Sequence, residues 1–492
     1  MPDKSIIIIG AGVAGLSVGC YARMNGYKAT IFEMHDKPGG LCTAWKREGY
    51  TFDGCIHDLA GAGENSLLYP MWRELGAFPR LPIINHDQFM QVETPDGRVF
   101  HAWNDIEKIA AHMKELAPAD TKVIEEYRQA ALHLSKTELL AIPMTGMSAR
   151  LLPMMSALMK WGKVTLEQFS ERLTDPFLRR AFPRIQYDLA AVPMVIHINF
   201  LAACQMHKMG TPRGGSLVFA RAIEERFRAL GGEVCYKARV RRIIVENDTA
   251  VGVELDDGTQ HRADVVIAAC DGRSVVMDML GGKYVDKALQ HYYTQPVDRQ
   301  PMNLHVGFGV ARDLSNEPRA IVRFLEQPVT VAGDKLDRFH VEMYGYEPDF
   351  APAGKGVINV PIETSYSYWR KLRDQGAACY EEEKERVART VLAALEPRFP
   401  GIAGQLEVWD VATPLTVEYY TGNWQGLQAW PHSSGIMGMI SGGRCTLPGL
   451  RGLFMTGHWA GGMLGVSTAA IGGRKLIEQL CRRDGTRFVA TA

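Results

Sequence analysis

Three glycines and one acid carry the first legible chemistry in this chain. Gly10, Gly12 and Gly15 stand at G-x-G-x-x-G spacing, and Glu33 follows the first of them by 23 residues. The four isoleucines Ile6, Ile7, Ile8 and Ile9 predict a buried strand running into the glycines, and 13–24 predicts a helix leaving them. In such a strand, turn and helix, Gly10 permits the tight turn and Gly12 lets a pyrophosphate approach the backbone. Gly15 lets the helix close on the strand. Val13 and Ala14 open a helix whose unpaired N–H groups and dipole favour an anion. Glu33 then ends the second strand, placed to accept hydrogen bonds from a ribose hydroxyl pair and to repel a 2′-phosphate. These residues predict a dinucleotide cradle and leave NAD and FAD both open.

Further along, Gly39, Gly40 and Leu41 offer close backbone approach to an extended ligand. His57 and His458 are the candidate acid–base groups, because an imidazole is poised near neutral pH. Asp53 reads as a loop-stabilising residue, and Asp188 as a surface or helix-cap residue with a weaker claim to acid–base work. Metal-spaced His or Cys clusters, a G-x-S-x-G elbow and a Walker loop are all missing from the sequence. Hydrolytic and NTPase chemistry therefore fall away, and no metal is expected.

The elements that position these residues need more than one core, since 492 residues predict two or three domains. The 55 Lys and Arg residues balance 55 Asp and Glu, which gives no electrostatic footprint for nucleic acid. Nine cysteines without a CxxC pair suggest neither a disulfide frame nor a zinc site and fit a reducing cytoplasm. The short first strand is too brief for a signal-peptide core, and no apolar run reaches the roughly 18 residues of a membrane span. Peripheral contact with a membrane stays open, and nothing in the sequence speaks to oligomeric state.

The region 216–230 predicts a helix, and 240–245, 250–255 and 263–269 predict strands, with Asp257-Gly258 as a hairpin signal. The chain thus returns to a sheet after an insertion of different character at 95–210. That insertion reads as helices at 105–116 and 123–139, then a methionine-rich stretch with Met144, Met147, Met154, Met155 and Met159, then an apolar run at 189–204. Methionines adapt to irregular apolar shapes, so this surface suits a long greasy ligand or a lipid interface. From 283 to 424, half-buried strands are expected at 303–310, 341–346 and 356–360, and an amphipathic helix at 380–395. The result is an α/β chain. One domain is built from 1–94, 211–282 and 425–492, and a sheet-plus-helices substrate domain from 95–210 and 283–424.

Three blocks resemble a known group. The first combines Glu33, Gly39-Gly40 and Phe52-Asp53-Gly54-Cys55-Ile56-His57. The second runs from Thr211-Pro212-Arg213-Gly214-Gly215 to Val240. The third is Gly457-His458-Trp459-Ala460-Gly461-Gly462 with Gly465-Val466. Together they are similar to FAD enzymes of the phytoene desaturase, carotenoid isomerase and retinol saturase group, within the amine-oxidase-like flavoproteins. The resemblance implies a Rossmann-type FAD-binding domain interrupted by a mixed substrate domain. FAD would be held by Gly10, Gly12, Val13, Ala14, Gly15, Glu33, Gly39, Gly40, Leu41, Val240, Gly457, Gly465 and Val466. It also implies an oxidoreductase that desaturates, saturates or isomerises carbon–carbon bonds of an apolar polyene or isoprenoid. In many desaturases of the group, arginine follows the GG pair and proline stands in the last block. Here Leu41 and Ser467 occupy those places, closer to the isomerase and saturase branches. The stretch 413–426 is similar to the group's strand and loop that close the substrate cavity. Rival expectations are a flavin amine or small-molecule oxidase on the same scaffold, and a non-catalytic flavin- and lipid-binding protein.

Overall fold

A computed structural model describes residues 4–135, 138–145, 158–428, 445–460 and 465–492. A five-stranded sheet holds Glu233–Cys235, Lys28–Phe32, Ser5–Ile9, Val265–Ala268 and Leu453–Met455 side by side in that order. Every neighbouring pair is parallel. A parallel sheet is covered on both faces, which is why its central strand is a bare run of isoleucine. On one face the Val13–Met24 helix packs against the Val466–Arg483 helix, and the Ser17 hydroxyl donates to the Ala470 carbonyl at 2.8 Å. A Cβ at Gly473 would come within 2.9 Å of the Ser17 Cβ, so this crossing needs glycine. The other face is covered by the antiparallel strands Val240–Glu246, Thr249–Leu255 and Gln260–Arg262.

The second sheet has seven strands. Its order is Leu406–Ala412, Arg299–Val310, Gly356–Ser365, Asp334–Met343, Ala320–Val331, Gln88–Glu93 and Val99–Trp103. Even-numbered residues of its second strand, Leu304, Val306 and Phe308, share a core with Val387, Val391 and Leu395 of the Ala377–Leu395 helix. Odd-numbered residues face the opposite way, toward a hairpin formed by Ala44–Arg47 and Tyr50–Asp53. There Gly307 and Gly309 leave room for aromatic rings. A Cβ on either would lie 2.6 Å from Phe52 or 2.5 Å from Tyr50. Phe52 and Tyr50 thus seat the hairpin flat on the sheet.

Several expectations shift. Strand 303–310 is buried along its whole length, because a helix covers one face and the hairpin the other. The Gln88–Glu93 strand pairs with Ala320–Val331 in the larger sheet, so the division at residue 94 falls too late. The helix expected at 123–139 is Thr121–Leu134, and 414–421, read as part of a strand and loop, is the helix Pro414–Thr421 with a Thr413 cap. Met147, Met154, Met155, Gly461 and Gly462 lie outside the described residues. Among the described residues, no helix is long and apolar enough to cross a membrane.

Candidate active site

The amino-terminal glycines form a tight cradle. A Cβ on Gly15 would lie 2.0 Å from the Gly10 carbonyl oxygen, so helix and strand could not close with any larger residue there. Gly12 bridges to Gly39, the Gly39 N–H donates to the Ala11 carbonyl at 2.9 Å, and a Cβ on Gly40 would sit 3.5 Å from the Gly12 Cα. The GG turn therefore lies directly on the nucleotide loop, with Leu41 half-buried just beyond it. Glu33 is 7% exposed and accepts from the Ala11 N–H at 2.6 Å and the His35 N–H at 2.9 Å. Burial pushes its carboxyl above the ordinary value, and those two N–H donors partly hold it down. Glu33, Val240 and Cys270 line a cleft of about 290 Å³ that reaches Gly10.

The carboxy-terminal block joins the same place. Gly457 sits over the first turn of the Val13–Met24 helix, where an added Cβ would meet the Ala14 Cβ at 3.4 Å. Gly465, at φ +139°, starts the Val466–Arg483 helix, whose N-terminal N–H groups favour a partial negative charge. Ser467 is buried and its hydroxyl donates to the Ala60 carbonyl at 3.0 Å. His458 lies half-buried in the short turn His458–Ala460, its ring 5.7 Å from Trp459. A narrow cleft, glycine approaches from two ends of the chain and a buried acid at the ribose position are what an extended dinucleotide such as FAD requires.

His57 has a partner the sequence did not announce. Its Nδ1 lies 2.8 Å from Oε1 of Glu342, on the Asp334–Met343 strand of the larger sheet. The other Glu342 oxygen, Oε2, accepts from Asn359 Nδ2 at 3.0 Å and from the Tyr344 hydroxyl at 3.1 Å. Burial alone would lower the His57 imidazole, and the adjacent Glu342 carboxylate more than offsets it, so its pKa stands above the ordinary 6.5. Burial works against the Glu342 carboxylate too, yet His57 and Asn359 hold it well below the usual range. Imidazole and carboxylate are in contact, which favours the protonated ring, and 27% of the His57 side-chain surface is still open.

The surroundings fix the imidazole from every side. The His57 carbonyl accepts from Thr211 Oγ1 at 2.8 Å, and the neighbouring Ile56 N–H donates to Ser216 Oγ at 2.8 Å. Asp53, expected to steady a loop, accepts from the Ser216 N–H at 2.6 Å and the Cys55 N–H at 3.1 Å. The Tyr187 ring lies 4.8 Å from His57, and its hydroxyl donates to Asp58 Oδ2 at 2.9 Å. Asp58 is also gripped by both guanidinium ends of Arg319, one of them at 3.0 Å. His340 and His305 complete the wall, and burial holds both imidazoles low, His305 at about 4. Neither His340 nitrogen has a hydrogen bond among the described residues.

Asp188 is drawn elsewhere, accepting from Arg338 Nε at 2.8 and 2.9 Å. Glu342, Tyr344, Asn359, Asp58, Arg319 and Tyr187 escaped sequence reading. One signal was available: His340, Glu342 and Tyr344 alternate with Val341 and Met343, so one polar face had to point somewhere.

The profile of the family described as "Flavin containing amine oxidoreductase" matches residues 13–306. A phytoene desaturase (lycopene-forming) of Paracoccus sp. (strain N81106 / MBIC 01143) is 26% identical over 291 residues, covering 56% of this chain. The chain spans 57% of that relative's length. A chloroplastic prolycopene isomerase of Arabidopsis thaliana is 23% identical over 448 residues, 83% of this chain and 71% of that protein. An all-trans-retinol 13,14-reductase of Danio rerio is 21% identical, covering 85% of this chain and 76% of that one. Among solved structures, an oxidoreductase from Methanosarcina mazei superposes with TM-score 0.60 at 16% identity, covering 96% of this chain and 100% of that one. Putrescine oxidase bound to putrescine superposes with TM-score 0.59 at 15% identity, covering 98% and 99%. With the profile covering more than half of the chain and the glycine cradle fitting FAD, the chain belongs to the flavin containing amine oxidoreductase family.

Proposed function

We propose that this protein is an FAD-dependent oxidoreductase that desaturates, saturates or isomerises carbon–carbon bonds of an apolar, polyene- or isoprenoid-like molecule. The observation that carries the reading is an apolar wall meeting the start of the Val466–Arg483 helix. Leu139, Ile196, Phe200, Ala203 and Met209 line a small cavity of about 50 Å³ together with Ala60, the residue that Ser467 holds. Relatives over more than four fifths of the chain carry the names of a prolycopene isomerase and a retinol reductase, which supports the same substrate class. Bound FAD supplies hydride acceptance or donation, which the side chains cannot. The chain's own residues bind the dinucleotide along Gly10, Gly12, Gly15, Gly39 and Gly40, with Glu33 at the ribose. The positive end of the helix beginning at Val466 would stabilise partial negative charge on the bound ring. His57, beside Glu342, would give the proton that accompanies bond reduction from its protonated form, or take the proton of the reverse step from its neutral form, with His458 as the second candidate.

Anaerobic titration of oxidised and reduced holoprotein with candidate polyenes tests this reading, because a substrate must change the flavin absorption in one of the two states. Unchanged spectra in both states across polyene, retinoid and isoprenoid panels would sink it. A second reading has its own observation. Tyr187, Tyr344 and Tyr346 give the His57 side aromatic rings, which suit a cationic amine. Peroxide release with a primary amine and none with polyenes would favour it.

A further inference from the structure

The hairpin that carries His57 also brings two thiols face to face. Ala44 pairs with Asp53 and Arg47 with Tyr50 across a two-residue turn, Glu48-Gly49, in which both residues have positive φ. Beyond the paired strands one cross-strand bond persists, the Gly54 N–H donating to the Thr43 carbonyl at 3.1 Å, while the Thr43 N–H turns to the Leu41 carbonyl at 2.9 Å. Cys42 and Cys55 are the next residues outward on either side. Alternation from the turn, carried one step past the ladder, gives 42 and 55 the places of a non-hydrogen-bonded pair. Cα atoms at such positions are about 4.5 Å apart, inside the roughly 4.4–6.8 Å that a disulfide spans. The two thiols are near enough for Cys55 to raise the Cys42 thiol. Cys55 is half-buried and Cys42 buried, its Sγ donating to the Ser216 carbonyl at 3.5 Å.

We propose that Cys42 and Cys55 form a redox-active dithiol that closes to a disulfide on exposure to peroxide and reopens with a dithiol reductant. The chemistry balances with hydrogen peroxide as oxidant. The more accessible Cys55 thiol attacks peroxide, its O–O bond breaks, and Cys55 becomes a sulfenic acid with release of one water. The Cys42 thiol then attacks the Cys55 sulfur, the S–O bond breaks, and the Cys42 proton leaves with that oxygen as a second water. Reduction consumes one external dithiol, which ends as its own disulfide. Cys42, whose thiol is pushed up by the neighbouring Cys55 and by burial, suits the resolving role, in which it waits protonated. The position gives the bond a consequence. Cys42 follows the Gly39–Gly40 turn that lies on the nucleotide loop, and Cys55 stands two residues before His57. A disulfide here staples the cofactor cradle to the candidate acid–base residue, whatever the substrate proves to be.

The test uses FAD-loaded full-length protein treated with hydrogen peroxide, blocked with iodoacetamide and digested with trypsin. Lys46 and Arg47 lie between the two cysteines, so each falls in its own peptide. The expected result is one linked species carrying Cys42 and Cys55, lighter than the two free peptides by two hydrogen atoms and separated by dithiothreitol. In Cys42→Ser protein the resolving thiol is gone, and dimedone should capture a Cys55 sulfenic acid that the wild type does not accumulate. Peroxide-treated wild type with both cysteines alkylated, or with Cys55 over-oxidised while Cys42 stays free, would overturn the proposal. Neither readout depends on turnover, so a failed substrate assignment leaves this test intact.

Discussion

Each half of the molecule buries a glutamate beside the candidate site, Glu33 in one and Glu342 in the other, and the two differ in what receives them. Glu33, in the nucleotide half, meets only backbone N–H groups, and its carboxyl is raised by burial. Glu342, in the larger sheet, meets an imidazole and an amide, and its carboxyl is driven down despite equal burial. Burial alone therefore does not fix the charge state. A partial dipole leaves a carboxylate costly, whereas a full positive charge in contact makes it the favoured form. The first arrangement suits a group waiting for ribose hydroxyls, and the second suits one that keeps a neighbour protonated.

The largest way to break the contrast is to unbalance the Glu342 side. Arg319→Met leaves Asp58 buried without its cation, and loss of one partner from a buried pair costs about 3–5 kcal/mol. Urea denaturation should show a loss of that size, and a loss within error would mean that Tyr187 alone satisfies Asp58. Next, His57→Gln should lower turnover about 100-fold, the low end for general acid–base catalysis, with flavin content unchanged. Equal turnover would transfer the role to His458. On the nucleotide side, Glu33→Gln keeps the shape and removes the charge, and FAD affinity should fall about tenfold, or about 1.4 kcal/mol, by equilibrium dialysis.

The smallest effect is a displacement along the pH axis. His57 has its pKa raised, so the stability its pair contributes is fully present below the ordinary 6.5 and is lost as pH rises through the higher folded value. Glu342 works the other way. Its contribution is present above the ordinary 4.5 and is lost only as pH falls through its depressed folded value. A turnover step that needs protonated His57 should therefore decline on the alkaline side, above 6.5. Glu342→Gln should slide that decline toward lower pH, against the background of Arg319, Cys55, His340 and His305 that also face the imidazole. A decline that stays in place would show that another group sets it.

The same two regions differ in how far the sequence discloses them. Gly10, Gly12, Gly15 and Glu33 do their work within one βαβ unit, so spacing along the chain is almost spacing in space. Their convergence with Gly457 and Gly465 was implied only by the resemblance of the last block to a flavin motif, and the structure brings Gly457 against Ala14 of the first helix. Glu342 gave no such signal. Its strand advertises two alternating faces, and the polar one reads as solvent unless one knows that a hairpin from residues 44–53 lies on it. Gly307 and Gly309, where Phe52 and Tyr50 sit, are the only local hint, and glycine in a strand names no occupant. Asp188, read chiefly as a surface or helix-cap residue, is held in a structural clasp with Arg338.

The five-stranded parallel sheet carries a last consequence, for biosynthesis. Its middle strand, Ser5–Ile9, touches Val265–Ala268 on one side, and that strand in turn waits for Leu453–Met455. Lys4, next to that middle strand, pairs with Asp484 at 2.8 Å. On the ribosome the cradle's first wall emerges more than four hundred residues before its final wall. The seven-stranded sheet is complete by residue 412 and can condense while translation continues. Cofactor capture is thereby deferred until the Leu453–Met455 strand has emerged, and a product truncated before it would contain the seven-stranded sheet beside an open, flavin-free cleft.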